Sequence, residues 1–148
     1  MMLSMPPLAR ALGYAGLIPF VGLAIAALAD PRASGAWQQL LLYYGAVILA
    51  FVGALHWGVA MTDRALGERQ RNVAYGWSVV PALLAWLSLL LDPAVASALL
   101  AAGFGAHLLR DWRLAREAEL PAGYLPMRFQ LSAVAALCLA LSSFSSRI

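Results

Sequence analysis

Lysine is absent from the chain, and all 10 of its basic residues are arginine. Cysteine occurs once, at Cys138, which excludes an intrachain disulfide and a multi-cysteine metal cluster. Charge is scarce, at 11% of 148 residues against roughly 25% in soluble domains. With 63% of residues hydrophobic, an ordinary water-soluble globule is excluded as well. The formal charge of +3 is no nucleic-acid signal, because the arginines sit in short segments between apolar runs. No nucleic-acid partner is expected.

Long apolar runs are what the chain has instead. Crossing ~30 Å of hydrocarbon takes roughly 20 residues at about 1.5 Å rise each. Runs at 11–29, 40–61 and 73–91 meet this without an internal charge, and 94–109 and 129–144 are shorter. The expectation is an all-α membrane bundle of five transmembrane helices in a single domain, 1–148. Charge supports the count. Arg10, Arg64, Arg69, Arg71, Arg110, Arg113, Arg116 and Arg128 fall on one side, and only Arg32 and Arg147 on the other. By the positive-inside rule the N-terminus is cytoplasmic and the C-terminus outside. Arg10, the first run and Ala27-Leu28-Ala29 also read as a cleavable signal peptide, a reading weakened by Pro19 within the run.

Asp30-Pro31 and Asp92-Pro93 close spans on the outer side, and the second makes a tight hairpin of spans three and four. Residues 110–120 are expected to prolong span four as helix up to Pro121-Ala122-Gly123. Small residues recur every fourth position: Ala46, Ala50, Ala54 and Gly58; Ala94, Ala98, Ala102 and Ala106; Ser132, Ala136 and Ala140. Such faces are seams within the bundle or toward a second copy or another membrane protein. Pro19 and Pro81 are expected to kink spans one and three.

Four stretches resemble the transmembrane protein 69-like domain-of-unknown-function family of bacteria and mitochondria. They are Gly16-Leu17-Ile18-Pro19-Phe20, the run from Tyr44 to His56-Trp57-Gly58, Tyr75-Gly76-Trp77-Ser78-Val79-Val80-Pro81 and Tyr124-Leu125-Pro126-Met127-Arg128. Gly123 stands where the family often has a tryptophan. The resemblance implies a small multi-pass protein of the bacterial inner membrane and brings no activity, substrate or catalytic residue.

The chemistry-bearing residues gather at the cytoplasmic ends of the spans. His56 lies ~7–8 Å inside span two, and intramembrane ionisable residues are costly and mark function by default. The bland alternative is a neutral histidine bonded to a carbonyl or a tyrosine. His107 lies at similar depth with Asp111 one turn on, which reads first as a surface charge network with Arg110. With Trp57, Tyr75, Trp77, Trp112 and Arg128 these residues form the candidate ligand site, and Tyr14 is a further candidate wall. Three functions fit. The first is a non-enzymatic accessory or ligand-binding protein holding a membrane lipid or quinone at the cytoplasmic leaflet. The second is a small transporter or proton relay using His56 and His107. The third is a haem ligated by those two histidines. No catalytic residue, metal site or cofactor is otherwise expected, since no nucleophile motif occurs and Cys138 lies mid-span.

Overall fold

The computed structural model describes residues 4–145. They form α1 (Pro7–Ala15), α2 (Leu17–Ala29), α3 (Ser34–Thr62), α4 (Glu68–Ser88), α5 (Pro93–Leu114) and α6 (Tyr124–Ser145). No strand occurs among the described residues beyond one bridge between Ser4 and Ala122. Among the described residues, four helices are long and apolar enough to cross a membrane: Pro7–Ala29 taken through its break, Ser34–Thr62, Pro93–Leu114 and Tyr124–Phe144. The chain is thus an all-helical, membrane-type protein. The expected span 73–91 loses its last three residues to a turn, because α4 ends at Ser88. Its first turn carries Glu68, Arg69 and Arg71, and α4 is not among the four.

Local chemistry explains the helix ends. Proline lacks an N–H and its ring crowds the carbonyl four residues earlier, so Pro19 breaks the first run at Gly16. The Tyr44 hydroxyl donates to the Gly16 carbonyl at 2.8 Å, satisfying an acceptor at the break from within the bundle. Pro81 does not end α4, which runs through it. Pro81 packs instead where α3 has Gly53, and a Cβ there would stand 2.9 Å from the proline ring and 3.0 Å from the Ser78 carbonyl. Asp92 caps α5 by accepting from the Ala94 N–H at 2.9 Å, with Pro93 at the first helical position. The Arg71 guanidinium donates to the carbonyls of Ala60, Asp63 and Leu66, closing the end of α3. The expected helix through 120 stops instead at Leu114, where Leu114 and Ala118 turn inward onto Leu66. Gly123, at φ 87°, makes the turn into α6.

Helices α2 to α6 pack in a closed ring, α3 reaches across it to α5 and α6, and α1 leans on α6. Phe20, Leu49, Leu100, Phe104 and Leu139 fill the centre, and the Phe20 ring meets Tyr44 and Phe104 edge-on. On α3 and α5 the small-residue stripes mostly face away from the seams within the bundle. Ala54 and Gly58 face outward, as do Ala98, Ala102, Gly105 and Ala106 of α5. The buried face of α3 is instead Gly45, Leu49, Val52, Gly53 and His56, and that of α5 is Leu100, Gly103, Phe104, His107 and Asp111. Bringing the polar groups of the two helices together turns these faces inward and the alanines out.

The helices alternate in direction, so the ends sort into two groups. The Glu119 N–H donates to Asp63 Oδ2 at 2.7 Å, tying the 63–67 turn to the 115–123 loop. Ser4 bridges Ala122 beside them. The N-terminal segment and both arginine-bearing loops therefore share one end of the bundle. Arg32 lies at the other end, and Arg147 lies outside the described residues.

Candidate functional site

At the loop-bearing end, four helices each send a polar side chain to one point. His56 comes from α3, Trp77 from α4, His107 and Asp111 from α5, and Arg128 with Tyr124 from α6. Asp111 is the hub and is wholly buried. Its Oδ1 accepts from His56 Nε2 at 2.8 Å, and its Oδ2 accepts from Arg128 Nε at 2.8 Å. Tyr124 donates to Oδ1 at 3.4 Å, and His107 Nε2 stands 3.5 Å from the same oxygen. The two imidazoles touch, with ring centroids 4.8 Å apart. The surface charge network expected for His107 and Asp111 is overturned, because both residues have no exposed surface.

Hydrogen-bond direction fixes the proton on one imidazole. The Trp77 indole has a donor only, and its Nε1–H donates to His107 Nδ1 at 3.0 Å. His107 Nδ1 is therefore a lone pair, and the ring proton sits on Nε2, facing Asp111. The Arg110 guanidinium covers the other side of Trp77, 5.5 Å from the ring centre.

This set does not fit a metal ion as it is bonded. The ligand-type atoms of His56, His107 and Asp111 lie within 4.8 Å of one another. Each imidazole nevertheless presents an N–H to the carboxylate rather than a lone pair, and Arg128 occupies the carboxylate's other oxygen. Nor does it fit a haem between the histidines. Rings in direct contact leave no slot for a macrocycle.

Three expected site residues lie elsewhere. Trp57 and Tyr75 pair edge-on at 4.8 Å on the outer surface of α3 and α4, where Trp57 is 48% exposed. Trp112 is 49% exposed and lies under the Arg116 guanidinium at 3.8 Å. All three suit an aromatic belt. Tyr14 does not line the knot either; it donates to Gln130 Oε1 at 2.6 Å and pins α1 to α6.

Beside the knot, between α1, α2, α3 and α6, lies a cavity of about 450 Å³. Its walls are mostly apolar, with Phe20, Ile48, Val52 and Leu131 among them. Tyr124, Arg128 and Ser132 supply its polar edge. Sequence reasoning missed Tyr124, Ser132 and the cavity itself. The signal was present, since 124, 128 and 132 recur every fourth residue and so share one helical face. Arg128 is 4% exposed and Ser132 3%, yet Arg128 Nη2 and Ser132 Oγ have no hydrogen-bond partner within the protein. Buried donors without acceptors are rare and costly.

A family of proteins of unknown function, DUF3429, matches residues 5–144. The chain belongs to this family. The match takes in every helix of the bundle, the Asp111 hub and the cavity. This DUF3429 chain is also 31% identical to transmembrane protein 69 of Xenopus tropicalis over 148 residues, which is 97% of this chain and 56% of that protein. It thus spans a little over half the length of that relative. No solved structure matches it.

Proposed function

We propose that the protein is a multi-pass protein of the bacterial inner membrane that binds an amphiphile, a lipid or a quinone, in the cavity beside Arg128. The single observation that carries this reading is the pairing of an apolar cavity of about 450 Å³ with two buried, unpartnered donors at one edge. Small-molecule sites run from roughly 300 to 1,000 Å³, mostly apolar with a few convergent polar groups. Leu12 and Phe51, 64% and 63% exposed, stand at the mouth, so a tail has an apolar way out toward lipid.

Five crossings with the N-terminus in the cytoplasm complete the reading. Arg64 and Arg116 in the two connections, with Arg69 and Arg113 at the adjoining helix ends, put positive charge at one end and favour that orientation. The cavity then opens in the inner leaflet. The outward alanines of α5 offer a face for a second copy or another membrane protein.

The test is native mass spectrometry of protein released from its own membrane. A copurified amphiphile is expected on the native chain and is lost in Ala9→Trp, a substitution at an exposed position that fills the cavity. Equal occupancy of the two proteins overturns the assignment.

The relay reading has the 4.8 Å contact between the His56 and His107 rings in its favour. The same geometry weakens it, because the Trp77 N–H occupies the nitrogen through which His107 would pass a proton onward.

A further inference from the structure

Resting on the amphiphile reading, the charge and hydrogen-bond inventory around Arg128 narrows the chemistry of the head group. We infer that the cavity takes a neutral carbonyl acceptor on an apolar body, and not an anionic head.

The first step is what the site offers. Arg128 and Ser132 line the cavity, and their buried Nη2 and Oγ atoms lack acceptors within the protein. Ser132 is unlike other serines of the bundle. Ser78, Ser88 and Ser142 each donate to the carbonyl three residues back, at 2.6, 2.7 and 3.0 Å. The Ser132 hydroxyl makes no such bond and remains available. With Arg128 one helical turn before it, the two side chains rise from one face of α6.

The second step is the sum of charge. Arg128 is already neutralised by a carboxylate with no exposed surface, through a 2.8 Å bond. His107 is neutral, since its Nδ1 accepts from Trp77. His56 donates its Nε2–H to Asp111, and its buried Nδ1 has no acceptor within the protein for a second N–H. The buried cluster therefore sums to zero. An anionic head would add one uncompensated negative charge next to Phe20, Ile48 and Val52, where water cannot repay its desolvation. A carbonyl oxygen has two lone pairs and no charge, so one such atom takes both donors and leaves the balance intact. Two sources carry that chemistry: an isoprenoid quinone and the ester carbonyl of a neutral acylglycerol.

The experiment measures binding of three probes to the full chain in nanodiscs: a decyl-substituted benzoquinone, monoolein and oleate. Measurements run at about pH 8, where a free carboxylate is ionised. At least one neutral probe is expected to bind, with oleate about tenfold weaker or more. Ser132→Ala is expected to weaken the neutral probe by about three- to tenfold, the loss of one neutral hydrogen bond, and Ala9→Trp to abolish its binding. Preference for the benzoquinone assigns a quinone, and preference for monoolein an acylglycerol; both support the inference. Oleate binding as tightly as the neutral probes, or indifference to Ser132→Ala, overturns the neutral-head inference and leaves the amphiphile site standing. Failure of all three probes, or binding untouched by Ala9→Trp, overturns both.

Discussion

Arg128 and Asp111 meet at 2.8 Å from adjacent helices, α6 and α5, with almost no surface between them exposed. A pair of this kind is weak proof of stability, because desolvation of both ions offsets most of their attraction. Its other consequence is positional. By holding Nε, Asp111 fixes the guanidinium plane and leaves Nη2 unpartnered in a side chain that lines the cavity. Asp111 is in this sense a positioning residue for the ligand site.

Removing one partner leaves the other as an uncompensated buried charge. Asp111→Asn is expected to cost about 3–5 kcal/mol, and Asp111→Asn with Arg128→Met to recover part of that, since the amide oxygen still accepts from His56 and Tyr124. Thermal unfolding in detergent checks both. The double variant should also lose the copurified amphiphile while unfolding at a higher Tm than Asp111→Asn alone, which separates folding from binding.

The Trp77–His107 bond carries a spectroscopic signature. Trp77→Phe keeps the ring stacked 6.4 Å from His107 but removes the indole donor. About 1 kcal/mol of stability is expected to go. More telling is the imidazole nitrogen spectrum. In the native chain His107 is a single tautomer with its proton on Nε2; in Trp77→Phe the Nδ1 site is free to share it. A single unchanged tautomer would show that the indole does not set the proton.

The helices were legible from apolar run length alone, and the grouping of loops from arginine alone. The seams were not. A stripe such as Ala46, Ala50, Ala54 and Gly58 looks close-packing by size, yet only its first member is well buried. What turned α3 was His56, whose partner Asp111 lies 55 positions away, a distance no local pattern spans. Asp111 looked superficial because Arg110 and Trp112 flank it. On a helix neighbours point in different directions, and only Asp111 faces in. On α6 the small-residue stripe begins at Ser132, and the same face continues back through the large side chains of Arg128 and Tyr124, so a pattern of small size does not extend to the polar edge of the cavity.

Two glycines of α3 should behave oppositely. Gly53→Ala drives a methyl to within 2.9 Å of Pro81 and 3.0 Å of a backbone carbonyl, and neither can swing away. Overpacking of this sort costs about 1–3 kcal/mol. Gly58→Ala meets nothing within 4 Å. Its effect should be neutral, or stabilising by up to about 1 kcal/mol through helix propensity. Unfolding midpoints of the two variants side by side give the comparison.

Sidedness is the remaining prediction, and the ligand reading leans on it. Single cysteines replacing Arg64 in the 63–67 turn, Arg116 in the 115–123 loop and Arg32 in the opposite turn are placed in a Cys138→Ala background. The contact between Asp63 and Glu119 requires the first two to lie on one face of the membrane. A membrane-impermeant maleimide applied to intact cells should label only the Arg32→Cys protein, and applied to inverted vesicles only the other two. Labelling of the Arg64→Cys and Arg116→Cys proteins from the outside would reverse the orientation and move the cavity to the outer leaflet. Labelling of those two from opposite sides is incompatible with the 2.7 Å bond between their loops. It would also separate His56 from Asp111, because His56 lies near the end of α3 that leads into the 63–67 turn, while Asp111 lies near the end of α5 that leads into the 115–123 loop.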